Sequence, residues 1–307
     1  MSPDRDSVEA APGEPIAGGS ELTEVAAGVL RIRAENPGPM TLDGTNTWVL
    51  HRPSDSAAVV IDPGPSLTAH AATISAVLRE RGLGVEAVLL THSHLDHSEL
   101  AREFAGQVDA PLRASAPDWC TGAPLTDQEV FSAAGMTVEV VATPGHSSDS
   151  VTFAAGAYLL TGDTVLGRGT TVVAHPDGRL ADYLESLQRL RRRAAAGGVS
   201  ALLPGHGPVI DDPVERLDLY VGHRRERLAA VAAVLAELDL SAASIRQDDL
   251  DEVVRRVVET VYAEVPRQLW PAAALSVRAQ VRYLVEQGDR EASAGAAGES
   301  LGVDQDD

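Results

Sequence analysis

Short apolar runs alternate along this chain with longer segments in which apolar side chains recur every third or fourth position. The runs at 47–50 and 57–61 predict a strand pair, the second stopping at Asp62-Pro63-Gly64. Leu67, Ala71, Ile74 and Leu78 keep helical spacing, and 85–90 predicts a buried strand. Further strands are predicted at 137–141, 151–154, 158–161 and 201–203. Helices are predicted at about 180–195, where Leu180, Leu184, Leu187 and Leu190 share a face, and at about 213–238. From about 241 the pattern changes. Leu250, Val253, Val254, Val257, Val258 and Val261 make one helical stripe, and Pro271 suits the first turn of a second helix that Gly288 is expected to stop. Residues 1–20 and 289–307, rich in Pro, Gly, Ala and acids, are expected to be disordered tails. Between the tails lie an alternating strand–helix domain, 21–240, and a small helical domain, 241–288.

Four of the apolar runs end alike, with a ligand-type residue following at once. The endings are His92-Ser93-His94-Leu95-Asp96-His97, Pro144-Gly145-His146, Gly162-Asp163 and Gly205-His206-Gly207. Strand ends along one sheet edge lie close in space, so His92, His94, Asp96, His97, His146, Asp163 and His206 can meet in one pocket. Gly145, Gly205 and Gly207 permit the tight turns that put a histidine at a rim. Imidazole and carboxylate suit Zn, Mn or Fe(II). Five histidines and two aspartates supply about three ligands to each of two cations plus a bridge, leaving a position for water, the mark of a catalytic site. A lone His-x-His is commonly a surface pair. Its continuation into Asp96-His97, with three further motifs in order, argues against that bland reading.

Composition removes other chemistries. None of the 25 basic side chains is lysine, which excludes a P-loop lysine and a Schiff base. Cys120 is the single cysteine, so disulfides and thiolate-bound clusters within the chain are excluded, and Cys120 itself reads as an incidental thiol. A net charge of −20 weakens any broad attachment to nucleic acid or anionic membrane. No segment is long and apolar enough for a membrane helix, and residues 1–6 lack a secretory pattern, so a cytoplasmic protein without membrane contact is expected.

The motif order resembles the metallo-β-lactamase superfamily over about residues 25–240. Thr41-Leu42-Asp43-Gly44-Thr45-Asn46-Thr47-Trp48, Pro204-Gly205-His206-Gly207-Pro208-Val209-Ile210 and Tyr220-Val221-Gly222-His223-Arg224 are similar to its β-lactamase-like protein 2 group, whose better-known animal member is an endoribonuclease. The segment from Val253 through Leu269-Trp270-Pro271 to Leu284 is similar to that group's winged-helix-like carboxyl domain. The resemblance implies an α/β fold, a four-layer αβ/βα sandwich with the metal site at one edge. It implies that His92, His94 and His146 hold one zinc, that Asp96, His97 and His206 hold a second, and that Asp163 bridges them. Mn or Fe would also suit. One departure stands out: Ser98-Glu99 follow His97 where relatives commonly have glycines.

The expected chemistry is hydrolysis by a hydroxide shared between two metals, with Asp96 orienting the nucleophile or shuttling its proton. His223 and Arg224 are candidate contacts for an anionic substrate, set against an equally weighted reading as a solvated basic helix face. His175, before Pro176-Asp177-Gly178, reads as a loop histidine that could border the pocket, and Arg189 to Arg193 as a solvated helix end. His51, His70 and Trp119 carry no functional expectation. Substrates compatible with the site are a small-molecule or acyl-carrier ester or thioester, or single-stranded RNA. Net charge and few aromatic side chains weigh against RNA. The competing readings are a mononuclear iron oxygenase of the persulfide dioxygenase type and a nucleic-acid binding module formed by the carboxyl domain. Against the second, the arginines between Asp248 and Glu286 are balanced by acids; that domain is expected over the active-site edge or at a subunit contact, as in a homodimer.

Overall fold

The computed structural model describes residues 14–15, 20–240, 245–246 and 249–300. Apart from Glu14, Pro15 and Ser20, the expected amino-terminal tail lies outside the described residues, as do residues 301–307. The chain forms two compact units. The first comprises Met1–Ala142, Asp149–Gly169 and Gly198–Asp211; the second comprises Thr143–Ser148, Thr170–Gly197 and Asp212–Asp307.

The first unit holds two mixed sheets. β1 (Glu14–Pro15), β2 (Glu21–Ala26), β3 (Val29–Arg33), β4 (Asn46–His51), β5 (Ala57–Ile61), β6 (Gly84–Leu89) and β7 (Leu112–Arg113) lie side by side in chain order. β1 to β5 are antiparallel neighbours, whereas β5, β6 and β7 run parallel. The second sheet has the order β12-β11-β10-β9-β8, from β8 (Val130–Ala133), β9 (Met136–Ala142), β10 (Val151–Ala155), β11 (Tyr158–Gly162) and β12 (Ala201–Pro204). Only β11 and β12 are parallel there.

Strand β5 shows why its sequence is continuously apolar rather than alternating. Val59 and Ile61 point between the sheets, against Val140, Phe153, Leu160 and Leu203. Ala58 and Val60 point the other way, into a core with Ile74 and Val77 of α1 (Thr68–Glu80) and Phe104 of α3 (Ala101–Gln107). Both faces are buried, so both need apolar side chains. Strands β2 and β3 escape the apolar-run pattern because β2 is only half buried and pairs through charge, with Arg31 and Arg33 reaching Glu21 at 3.2 and 2.6 Å.

In the second unit lie α4 (Leu180–Ala195), α5 (Pro213–Glu237), α6 (Leu250–Val261) and α7 (Trp270–Ser300). Asp212 caps α5 by accepting from the amide of Glu215 at 3.0 Å, with Pro213 in the first turn. Val231, Val234 and Leu235 of α5 pack with Val253, Val254, Val257 and Val258 of α6 and Val277 and Val281 of α7. Gly288 does not stop α7, which continues to Ser300 through the segment expected to be a disordered tail. A mid-helix glycine costs only about 1 kcal/mol, and the alanines that follow offset it. Two mixed sheets with flanking helices and a helical carboxyl-terminal region agree with the expected fold class. No helix of the described residues is long and apolar enough to cross a membrane.

Candidate metal centre

Parallel strands that end level bring the ligand-type residues together. β5 and β6 are in register at Ile61 and Leu89, so the next residues, Asp62 on one and Leu90-Thr91-His92 on the other, emerge side by side. β11 and β12 pair Gly162 with Pro204, which sets Asp163 and His206 at neighbouring strand ends. The one-turn helix α2 (Leu95–Ser98) then turns Asp96 and His97 towards them.

Ligand atoms of four residues converge there. Nε2 of His97 lies 3.3 Å from Nε2 of His206, 3.4 Å from Asp96 Oδ2 and 3.5 Å from Asp163 Oδ1. Nε2 of His206 lies 3.2 Å from Asp96 Oδ2 and 3.3 Å from Asp163 Oδ2. Both imidazoles are 0% exposed. Nε2 of His92 approaches Nδ1 of His94 at 3.1 Å. Asp96-His97-His206 and His92-His97-Asp163 each present ligand atoms within 4.8 Å of one another.

The far ring nitrogens decide which atoms face the centre. Nδ1 of His97 meets Asp62 Oδ2 at 3.0 Å, and Nδ1 of His206 meets the Gly44 carbonyl at 3.2 Å. Both partners are pure acceptors, so each Nδ1 carries the proton and each Nε2 turns a lone pair inward. Thr91 Oγ1 gives its single proton to Asp62 Oδ2 at 2.7 Å, so towards His92 Nδ1, 3.1 Å away, it accepts. Asp62 therefore orients His97 directly and His92 through Thr91. Two lone pairs and two carboxylates at these distances repel one another unless a cation sits among them. The donor set thus fits a divalent metal.

Without a metal, protons take that place. At His206 burial opposes the charged ring, but the Asp163 charge and the bonds to Asp163 and Asp96 outweigh it and raise it to about 9. His97 shifts upward too: burial again opposes, and the charges of Asp163, Asp96 and Asp62 prevail. Asp163 shifts the opposite way, since the His206 and His97 charges overcome a burial that favours its neutral form.

The Asp43–Trp48 segment braces the His206 turn. Asn46 Nδ2 donates to the carbonyls of Pro204 and Gly207 at 3.0 and 2.9 Å, and Trp48 Nε1 to that of Pro204 at 3.1 Å. Thr45 Oγ1 reaches Asp96 Oδ2 at 3.3 Å. Gly205 is glycine for lack of room, because a Cβ there would lie 2.5 Å from Asp163 Oδ1 and 2.6 Å from His97 Cε1. Ser98 and Glu99, the departure after His97, are absorbed locally: Ser98 Oγ donates to the Ser93 carbonyl at 2.8 Å, and Glu99 accepts from the amide of Ser66 at 3.0 Å.

His146 belongs to the second unit. Its Nδ1 lies 2.8 Å from the Val172 carbonyl and 3.4 Å from Thr171 Oγ1, which again places the proton on Nδ1. Gly145 has φ +135°, and a side chain there would run into the backbone of Tyr183. Arg224, a candidate substrate contact, is turned inward at 4% exposure, donating to the Thr171 carbonyl and lying over the Tyr183 ring, 5.0 Å from its centroid. It braces the strand of backbone that holds His146. His223 opens onto a cleft whose other charged side chains are Asp212, Glu215, Asp218 and Glu226, a setting that repels an anion. Asp62, Thr91, Thr45 and the Gly44 carbonyl were not singled out by spacing. The one signal for Asp62 was an acid closing an apolar strand before Pro63-Gly64.

Comparison with known proteins agrees with this geometry. The family described as Metallo-beta-lactamase superfamily matches residues 40–136, and the Beta-lactamase associated winged helix domain matches residues 254–289. The chain belongs to the metallo-β-lactamase superfamily, as a metal-dependent hydrolase with a histidine–aspartate metal-binding site. It is 32% identical over 287 residues to the Beta-lactamase-like protein 2 homolog of Drosophila melanogaster, covering 87% of this chain and 91% of the relative. To the homolog of that name from Caenorhabditis elegans it is 31% identical over 278 residues, covering 87% of each chain. The crystal structure of a Beta-lactamase domain protein from Burkholderia ambifaria matches with a TM-score of 0.69 at 25% identity, over 91% of each chain.

Proposed function

We propose that the protein hydrolyses an ester, thioester or phosphodiester with two zinc ions per chain. Asp96, His97 and His206 would hold one ion, His92, His94 and His146 the other, and Asp163 would serve both. The observation that carries this reading is the meeting of the His97 and His206 Nε2 atoms at 3.3 Å, each with its proton fixed on the far side of the ring. Bound cations make water nucleophilic near neutral pH and take up negative charge in the transition state.

The chain's own residues then have defined tasks. Asp62 keeps His97 and, through Thr91, His92 in the ligating tautomer. Asp96 is half buried and is the carboxylate most open to solvent in the cluster, with Thr45 bonded to its Oδ2. In this reading it orients an attacking water or shuttles its proton. Burial of His97, His206 and Asp163 keeps bulk water from competing for the ligand atoms.

The test is elemental analysis of the purified chain followed by assay of ester, thioester, β-lactam and single-stranded RNA substrates. The expected result is bound zinc and turnover of at least one substrate, both lost in Asp163→Ala. A single bound iron with oxygen consumption would contradict it.

A further inference from the structure

Among the described residues, His70 is the one buried histidine outside the proposed ligand set, at 1% exposure in the first turn of α1. Its ring packs against the Asp62-Pro63-Gly64 turn. Nδ1 lies 3.1 Å from Ser20 Oγ, and Nε2 lies 2.8 Å from Thr47 Oγ1 on β4. Thr47 Oγ1 in turn donates to the Asp62 carbonyl at 2.7 Å.

The proton count fixes the ring. Thr47 gives its single hydroxyl proton to Asp62, so towards His70 it accepts, and His70 Nε2 must carry a proton. Burial pushes His70 down to about 4, with a bond to the Pro63 backbone pulling the other way, so the ring is neutral. Nδ1 is then the acceptor for the Ser20 hydroxyl. This is the opposite tautomer to that of His97 and His206, whose protons sit on Nδ1.

The turn that His70 supports is strained and holds one side of the metal centre. Asp62 has φ +51°, a region sparsely occupied by residues other than glycine, and a residue stays there only where its surroundings hold it. Three contacts run from the turn to the segment after His94. The Asp62 carboxylate accepts from His97 Nδ1 at 3.0 Å, the Gly64 amide donates to the His97 carbonyl at 3.0 Å, and the Gly64 carbonyl accepts from the Leu100 amide at 3.2 Å. On the other side, a Cβ on Gly64 would lie 3.0 Å from His70 Nε2, so ring and turn meet without slack. The Asp62 amide is bonded to the Leu89 carbonyl at 2.9 Å and its own carbonyl to Thr47, which fixes both peptide planes and the direction in which the side chain leaves.

We propose that His70 is a positioning residue for the metal centre: as the Nε2-protonated tautomer it holds Asp62, through Thr47, at the angle that turns His97 Nε2 towards the ligand cluster. The effect on zinc rests on the proposed function; the tautomer and the hold on Asp62 do not.

The experiment compares the full-length chain with His70→Phe, which fills the space without a donor, and His70→Gln, whose side-chain amide can return a donor to Thr47. 15N spectra of the imidazoles read each tautomer in the metal-free protein, and chelator competition reads zinc affinity. In the parent, His70 is expected with its proton on Nε2. In His70→Phe the His97 Nδ1 signal should move and zinc should bind about tenfold more weakly, with His70→Gln recovering to within about threefold of the parent. A purely structural role would lower the Tm of His70→Phe and leave the His97 signal and the affinity unmoved. That result, or a parent His70 protonated on Nδ1, would overturn the proposal. Should His70→Phe fail to fold, Thr47→Val removes the hydroxyl between ring and turn, and an unmoved signal and affinity there would overturn it equally. If the parent takes up no zinc, the hydrolase reading falls and the His97 signal decides alone. Moved in His70→Phe, it upholds the hold on Asp62; unmoved, it sinks that too.

Discussion

Replacing Asp62 by asparagine changes one atom at the foot of the metal centre and leaves every proposed ligand in place. Asp62 is 1% exposed and accepts three bonds: from the Thr91 amide at 2.8 Å, from Thr91 Oγ1 at 2.7 Å and from His97 Nδ1 at 3.0 Å. Oδ2 takes the last two. An amide nitrogen in that position would face the His97 Nδ1 proton, so the ring would shift its proton to Nε2, the atom needed for ligation. The flipped amide would instead set its NH2 against the Thr91 N–H. With nitrogen at the Oδ2 position both bonds that Oδ2 accepts lose their acceptor; in the flipped orientation one does. Loss of a partner of this kind lowers metal affinity about 10- to 100-fold, or about 1.4–2.7 kcal/mol. The metal-free protein should also lose about 1.5–3 kcal/mol of stability with the charge-assisted bond. Competition with a chromophoric chelator measures the first effect, and 15N spectra of the imidazoles read the tautomer directly. If Asp62→Asn bound zinc within about threefold of the parent, with His97 still protonated at Nδ1, the orientation argument would be wrong.

Other perturbations test separate parts of the account. Asp163→Ala removes the carboxylate that lies 3.5 Å from His97 and 3.3 Å from His206; bound zinc should fall by at least one ion, and hydrolysis by about a hundredfold or more. Zinc must displace the proton that His206, raised to about 9 by Asp163 and Asp96, still holds at pH 7, so apparent affinity should climb about tenfold per pH unit from pH 7 towards 9 for that proton, measurable by chelator competition. In the metal-free chain the raised value stabilises the folded state fully below about pH 6.5, and that contribution disappears as pH rises through about 9, which melting curves across this range would show. Arg224→Ala deletes the bond to Thr171 and the stacking on Tyr183, and should cost about 2–4 kcal/mol; an unchanged Tm would show that the brace is dispensable.

Much of this centre was legible because its ligands sit where apolar runs stop. The endings of β6, β11 and β12 are visible in the sequence; parallel pairing sets Asp62 beside Thr91–His97 in one sheet and Asp163 beside His206 in the other, and the face-to-face packing of the two sheets brings those edges together. What stayed hidden depends on atoms that sequence does not distinguish. The Gly44 and Val172 carbonyls that set two tautomers are backbone groups any residue would supply. Arg224 reads as a surface cation on a basic helix face, and only tertiary packing shows it 4% exposed beneath Thr171. β2 carries too many polar positions to stand out as an apolar run, and β8 is only four residues long. Gly288 reads as a stop, yet helix-favouring neighbours on both sides carry α7 past it.

The most direct test of the central claim is a zinc titration of the metal-free chain, followed by elemental analysis, in parallel with His206→Ala. Two equivalents bound by the parent and one fewer by the variant is the result the geometry predicts. A parent that takes up no zinc, or a variant that retains every equivalent the parent binds, would contradict it.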